Sequence, residues 1–315
     1  MADQLLYRTF CRTAPADFPL FMQDWYLDAV CGNGNWEAGV LEKGGQVVAV
    51  WPYFLKKRWS RRYIAMPPLA RLIGPYIMPE WRTLRKEPGL IDELIAGLPS
   101  GLAAYEQDFP YTVTNWLPFF WKGFRQTTRY SYVLEVNDLE EVWNQVASDY
   151  RNQKIPKAKQ LVDVKTGGDL ADFLRVQGAT FKRQGLTSPV RPDLLVRLDA
   201  ALGEHRQREI FTAVDRQTGA IHSVGYLVWD KRSAYLLMAG DEPDLRSSGA
   251  GILLLWEMIR YTSEVLKLPV FDFLGSMIQP IERVRRQFGA VQQPYFRVWK
   301  EWSVLFWLGK MWLRR

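Results

Sequence analysis

Cysteine and histidine are scarce in this chain of 315 residues, with two of each. Cys11 and Cys31 allow one bridge at most, so a disulfide framework is excluded as the source of stability. No apolar core of a secretory leader precedes them, and the expected compartment is reducing and cytoplasmic. His205 and His222 are too few for a histidine metal cluster, and no Cys/His spacing suggests zinc, so no metal is expected. The chain lacks a Gly-x-Ser-x-Gly elbow, which argues against a Ser-His-Asp hydrolase. It also lacks any apolar run near the roughly 20 residues of a membrane-spanning helix.

What is present is a folded composition with a basic balance. Hydrophobic residues make up 48% and charged residues 24%, as in globular domains. The formal charge of +7 favours anionic partners, whether a nucleotide, RNA or an acidic membrane. The length predicts two domains.

Periodicity and turn residues predict a helix over Phe18–Val30, a strand over Trp36–Leu41, a turn at Lys43–Gln46 and a returning strand over Val47–Leu55. A helix over Glu87–Leu98 and strands over Tyr111–Leu117 and Ser131–Val136 follow. The order then begins again. A helix is expected over Asp169–Arg183, a hairpin over Arg208–Val214 and Ala220–Trp229, and a strand over Ser233–Gly240. A long serine-capped helix over Ser248–Leu266 and a short buried strand over Val270–Phe273 complete it. Helix, strand, turn, strand thus occurs twice, which predicts a duplicated α/β unit. The expected boundary lies near residue 140, dividing the chain into 1–140 and 141–315.

The strongest chemical signal follows the strand that ends at Gly240. Arg246-Ser247-Ser248-Gly249-Ala250-Gly251 opens a helix. The first N–H groups of a helix have no internal partner, and with the helix dipole they form an anion site. Gly249 and Gly251 lack a Cβ, so a diphosphate can approach the backbone, and Arg246 adds a cationic fork.

This Arg-x-x-Gly-x-Gly spacing resembles the acyl-CoA diphosphate signature of GNAT acetyltransferases. Val270-Phe-Asp-Phe-Leu-Gly275-Ser-Met-Ile, Ile281–Ala290 and Pro294–Lys300 resemble the C-terminal signature of the Fem-type branch of that superfamily, the peptidoglycan-bridge aminoacyltransferases and their relatives. Arg151…Ile155-Pro-Lys157-Ala158 and Asn115-Trp-Leu-Pro-Phe119 resemble further pieces of it. Leu274 departs from the family, which often carries an acid there. The resemblance implies two tandem GNAT-like domains, each a mixed, mostly antiparallel sheet flanked by helices. The first would be degenerate for donor binding and the second would hold the donor.

The implied activity is N-acyl transfer from a CoA thioester, acetyl-CoA first among the donors, to an amine on a small molecule, an amino sugar or a lipid-linked cell-envelope precursor. Leu237, Met238, Ala239 and the six residues from Arg246 to Gly251 are the expected donor-binding set. Asp272 is the candidate base or amine-orienting carboxylate. Lys300 is the candidate cation, Ser276 a hydrogen-bond donor, and Tyr235 and Tyr261 candidate acids. An aminoacyl-tRNA donor is the alternative, disfavoured because no long helical insertion with heptads is present. A non-catalytic GNAT-like protein that binds a membrane or a partner is the other.

Three surface features stand apart from the donor motif. Arg151, Lys154, Lys157 and Lys159 form a basic run, and Pro156 argues against one uninterrupted helix through it. Lys56-Lys-Arg-Trp-Ser-Arg-Arg62 interleaves cations with an aromatic. The C-terminal stretch from Trp299 to Arg315 carries four tryptophans and ends in two arginines, a composition suited to an anionic membrane interface. The protein is therefore expected in the cytoplasm, with peripheral attachment to the inner membrane face as one expectation.

Overall fold

The computed structural model describes residues 4–32, 34–183, 185, 191–275 and 277–303. The chain divides into two compact units, Met1–Arg129 with Pro294–Arg315, and Tyr130–Gln293.

In the first unit, α1 (Gln4–Thr13) and α2 (Asp24–Cys31) lead into the antiparallel pair β1 (Trp36–Lys43) and β2 (Gln46–Arg58). β3 (Arg61–Ala65) returns along β2, and β4 (Tyr76–Ile77) pairs with β2 further along. α3 (Glu87–Ala96) carries the chain to β5 (Leu102–Asp108), which lies parallel to β3, and α4 (Leu117–Trp121) follows. The core is aromatic. Trp51 meets Tyr105, Phe109 and Phe119 edge to face. Buried Gln107 keeps this core polar-satisfied. Its Oε1 accepts Trp51 Nε1–H at 2.6 Å and the Tyr105 hydroxyl at 2.8 Å, and its Nε2 donates to Pro52 O at 3.0 Å.

Two expectations change here. The helix expected over Phe18–Val30 is split, because Gln23 is extended between a tight turn at Leu20–Met22 and α2. The strand expected over Tyr111–Leu117 is irregular, and the strand is Leu102–Asp108 instead. Pro110 has no N–H to give a ladder. Asn115 Oδ1 takes the Leu117 N–H at 3.1 Å and starts α4.

The second unit begins within β6 (Arg125–Glu135). α5 (Leu139–Gln145) follows, capped by Asp138 Oδ1, which accepts the N–H groups of Glu140 and Glu141. A π-helical turn at Tyr150–Lys154 runs into α6 (Ile155–Leu161). Pro156 has no N–H, so the chain widens by one residue before it, and Ile155 N–H donates to Tyr150 O. The basic run therefore stays helical through the proline, as a widened turn rather than a break.

The remaining elements are β7 (Val162–Lys165), α7 (Leu170–Arg183), α8 (Pro192–Glu204), β8 (Arg208–Asp215), β9 (Ile221–Trp229), β10 (Ser233–Asp241), α9 (Ala250–Glu264), β11 (Val270–Asp272) and α10 (Gln279–Gln287). The sheet runs β6-β11-β10-β9-β8-β7, with β10–β11 its parallel pair and the other pairs antiparallel. A parallel pair needs a crossover, and α9 supplies it. α9 packs Leu253, Leu254, Met258 and Ile259 onto Phe211, Leu227 and Leu236 of the strands. The mixed α/β architecture with mostly antiparallel sheets agrees with the sequence expectation.

The division differs from the expected one near residue 140. It falls at Tyr130, because β6 from Val133 to Glu135 pairs with β11. The last strand, β12 (Val291–Glu301), pairs with β5 from Arg297↔Asp108 to Glu301↔Ala104, so its residues from Pro294 belong to the first unit. Arg297 seals that return with a bidentate pair to buried Asp108, at 2.6 and 2.7 Å.

Candidate functional site

β10 and β11 begin side by side and then part. Their pairing is limited to Ser233↔Val270, Ala234↔Phe271 and Tyr235↔Asp272, while β10 runs on to Asp241. On its other edge β10 stays with β9 but slips by one residue: Leu236 faces Leu227 and Met238 faces Tyr226. Leu237 is thus the extra residue of a β-bulge, which bends the strand and re-aims its backbone groups. Beyond Tyr235, the β11-facing edge of β10 has no strand partner among the described residues. A cavity of about 540 Å³ opens in this fork, a size suited to a small-molecule ligand. Its walls are Leu236–Asp241, the first turns of α9, Phe273 after β11, and Ile281, Val284 and Arg285 on α10.

The cavity reaches the turn that the sequence singled out. Arg246–Ser248 make one tight helical turn, and Gly249 reverses the backbone with φ 77° and ψ 8° before α9 starts. A side chain at Gly249 would be strained by that φ and would stand 3.3 Å from Lys154 O. The serine cap takes a different form from the one expected. Gly249 holds the cap position, and Ser248 Oγ accepts the Ala250 N–H at 3.2 Å. Gly249 O accepts the N–H groups of Ile252 and Leu253.

At Gly251 a Cβ would lie 2.5 Å from Asp241 Oδ1. The Asp241 carboxylate therefore sits against the start of α9, at the wall of the cavity. Sequence reasoning missed this acid, although it ends the strand that leads to the turn.

Leu237, Met238, Ala239, Arg246, Gly249 and Gly251 all line the larger cavity. Ser247 and Ser248 line a second cavity of about 380 Å³, shared with Lys154, Lys157 and Arg246. Ala250 is buried beneath the turn. Arg246 forms no ion pair among the described residues, while Lys154 Nζ is 2.7 Å from Asp149. The structure thus gathers the expected donor-binding set at one place in the second unit.

The expected catalytic set is not gathered with it. Asp272 is buried, and its Oδ1 accepts the Ser131 hydroxyl at 2.5 Å and the Leu274 N–H at 2.8 Å. It pins the loop in which Leu274 and Gly275 both have positive φ, 52° and 76°. Lys300 stands in the first unit. Its Nζ donates to Lys122 O and lies 5.2 Å from the Phe124 ring and 5.0 Å from the Trp302 ring, and partial burial lowers its pKa. Ser276 lies outside the described residues, as do residues 304–315 of the C-terminal stretch.

Neither tyrosine candidate lines the cavity. The Tyr235 hydroxyl donates to Asp230 at 2.7 Å, and burial first, then Asp230, raises its pKa well above the ordinary value. Tyr261 packs edge to face on Phe211 at 5.2 Å, and burial raises its pKa. His222 is buried, with Nε2 3.2 Å from Asp215. Among the described residues no cluster of His, Cys, Asp or Glu could hold a metal, and no helix is long and apolar enough to cross a membrane.

Comparison with known proteins follows the same lines. Residues 145–295 match the family described as "Acetyltransferase (GNAT) domain". No curated protein matches the chain in sequence. Among solved structures, the chain is similar to FemX at 14% identity and a TM-score of 0.70, covering 94% of this chain and 96% of that one. It is similar to a tandem GNAT protein from the clavulanic acid biosynthesis pathway at 13% identity and a TM-score of 0.53, covering 84% and 82%. A third is the C-terminal domain of a protein assigned as a lysylphosphatidylglycerol synthetase from Agrobacterium fabrum, at 12% identity and a TM-score of 0.57, covering 95% and 92%. The fork, the bulge and the glycine turn lie within the matched segment: residues 145–295 form a domain of the acetyltransferase (GNAT) family, and the chain as a whole has the fold of FemX and of a tandem GNAT protein.

Proposed function

We propose that the second unit takes an acyl-CoA thioester, acetyl-CoA first among the candidates, in the fork between β10 and β11 and passes the acyl group to an amine. The observation that carries this reading is the fork, where pairing stops at Tyr235↔Asp272 while β10 continues past the Leu237 bulge into an apolar cavity. The free edge of β10 can hydrogen-bond an extended amide chain as an added strand would. The Arg246–Gly251 turn would hold the diphosphate, with the start of α9 and the Arg246 guanidinium supplying positive charge.

Backbone N–H groups from Leu237 to Gly240 would face the thioester carbonyl and stabilise the tetrahedral oxyanion. As the amine nitrogen bonds to the carbonyl carbon, the C–S bond breaks, and the proton shed by nitrogen neutralises the thiolate. Asp272 is assigned to positioning, through Leu274, rather than to the proton transfer. Lys300 is left out of the donor half of the site, because its ammonium group is held by Lys122 O. The proposed acceptor is an amine on a cell-envelope precursor, lipid-linked or an amino sugar; the likeness to FemX and to the lysylphosphatidylglycerol synthetase domain supports the cell-envelope and lipid-linked part of that class.

Thermal unfolding with acetyl-CoA and with free CoA tests the donor. A ligand at about 100 times its dissociation constant should add roughly 2.7 kcal/mol. The shift is expected in the native protein and cut to roughly 0.4–1.4 kcal/mol in Arg246→Ala at the same ligand concentration, and no shift in the native protein rejects the reading. The second reading, an aminoacyl-tRNA donor, is favoured by the cavity lined by Lys157, Arg246 and Lys154, the last paired with Asp149. Charged tRNA that binds this protein and persists under saturating CoA would select it.

A further inference from the structure

We propose that the first unit docks on an anionic phospholipid membrane through the tip of its β2–β3 hairpin. This surface is separate from the donor fork and does not depend on the acyl-transfer reading. The tip holds Lys56, Lys57, Arg58, Arg61 and Arg62 around Trp59 and Ser60. In the strand register Lys57 faces Arg62 and Arg58 faces Arg61. Like charges placed opposite one another weaken a hairpin. None of the five forms an ion pair with a carboxylate among the described residues, and the side chain of Arg62 is spent on Ser100 O at 2.6 Å.

The turn adds a second local cost. Trp59 and Ser60 are the two residues between the strands, and both have positive φ, 47° and 61°. Such a turn is suited to Asn-Gly, and a tryptophan there is strained. Trp59 is nevertheless 61% exposed, with the Arg58 guanidinium 4.5 Å from its ring. The sequence thus keeps an exposed indole at the apex of a cationic ribbon, against both turn preference and charge repulsion. An interfacial membrane contact uses those groups together, with the indole at headgroup depth and the cations toward anionic lipid.

The sheet brings a second exposed aromatic to the same end. Arg62 pairs with Leu102 on β5, and the N–H groups of Trp302 and Ser303 both donate to Ala103 O, next along β5. Two strand spacings, roughly 10 Å, separate β3 from the last strand there. Trp302 is 45% exposed and packs edge to face on Phe124. A single-stranded nucleic acid would ask for a groove along which bases stack. A projecting apex ringed by cations suits a plane.

Flotation of the full chain with vesicles of equal parts phosphatidylcholine and phosphatidylglycerol tests this, with phosphatidylcholine alone for comparison. The native chain should float with the mixed vesicles, and salt should weaken the binding. Reversing Arg58 and Arg61 to glutamate should weaken it at least about tenfold, while reversing exposed Arg12 and Arg85 should change it little. Trp59→Asn with Ser60→Gly gives the turn its preferred residues, so it should fold at least as well and still lose binding. The proposal is overturned if the native chain does not float, if the Asn-Gly variant floats as well as the native chain, or if both pairs of reversals act alike. It is also overturned if the hairpin variants keep vesicle binding and lose tRNA binding instead.

Discussion

Both units route the chain from one strand through a helix to a parallel neighbour, yet they treat that crossover differently. In the first, β3 pairs with β5 up to Ile64↔Tyr105 and ends one residue later, so no fork opens. In the second, β10 outruns its pairing by six residues, Leu236–Asp241. The helix starts differ as well. α3 opens with Glu87, buried, and Pro88, which has no N–H. α9 opens with Gly249, Ala250 and Gly251. Each start has an acid nearby, Glu87 in the first turn of α3, where burial raises its pKa, and Asp241 against Gly251, but only α9 leaves its first residues without side chains larger than a methyl group. The donor reading therefore rests on how far two strands stay together and on which residues begin the helix, features that a shared fold does not guarantee.

The comparison can be broken at the turn. Gly251→Val should abolish the CoA-induced stabilisation, about 2.7 kcal/mol under the condition above, with circular dichroism unchanged. An undiminished shift would move the donor out of the second unit. Arg246→Ala should weaken CoA binding by about ten- to a hundredfold, the range for one charge-assisted hydrogen bond, read by calorimetric titration. Asp272→Asn should cost about 1–3 kcal/mol of stability through its buried partners, in a denaturant titration, and leave the pH–rate profile in place. A shifted profile would return Asp272 to the proton transfer. Asp241→Asn should tighten CoA binding severalfold by removing a like charge beside the diphosphate, an effect that salt reduces.

The smallest expected effect concerns the first unit and acid. Burial pushes the Asp17 carboxyl up, but the Tyr76 hydroxyl and the Arg82 guanidinium outweigh it, and the net shift is downward. A lowered folded pKa means that the unfolded chain takes the proton first. The stabilisation is therefore present above the ordinary value of 3.8 and is lost as pH falls through the lower folded value. Asp17→Asn should flatten this part of the acid-unfolding curve, and an unchanged curve would remove Asp17 from the account.

The sequence showed most where local chemistry is strict. Gly249 and Gly251 stood out by their spacing at a helix start, where the positive φ of Gly249 and the Asp241 contact at Gly251 leave no room for a side chain, and β8, β9 and β10 stood out by their β-rich runs and turn. The Leu237 bulge left no such trace, since leucine is ordinary in a strand and the extra residue appears only against the register of β9. Asp241 was hidden because its position depends on how β10 meets α9. β5, Leu102–Asp108, was passed over for the apolar stretch after Pro110. The return of β12 to the first sheet is a pairing between residues 189 positions apart, which no periodicity records.

That return orders events on the ribosome. Domains usually fold from the N-terminus as they emerge. Here the second unit, Tyr130–Gln293, is one uninterrupted segment, whereas the first lacks its closing strand until Pro294–Glu301 is made. Until Arg297 arrives, buried Asp108 has no guanidinium and β5 presents an open edge. The later half of the chain can thus finish folding while the earlier half still lacks its closing strand.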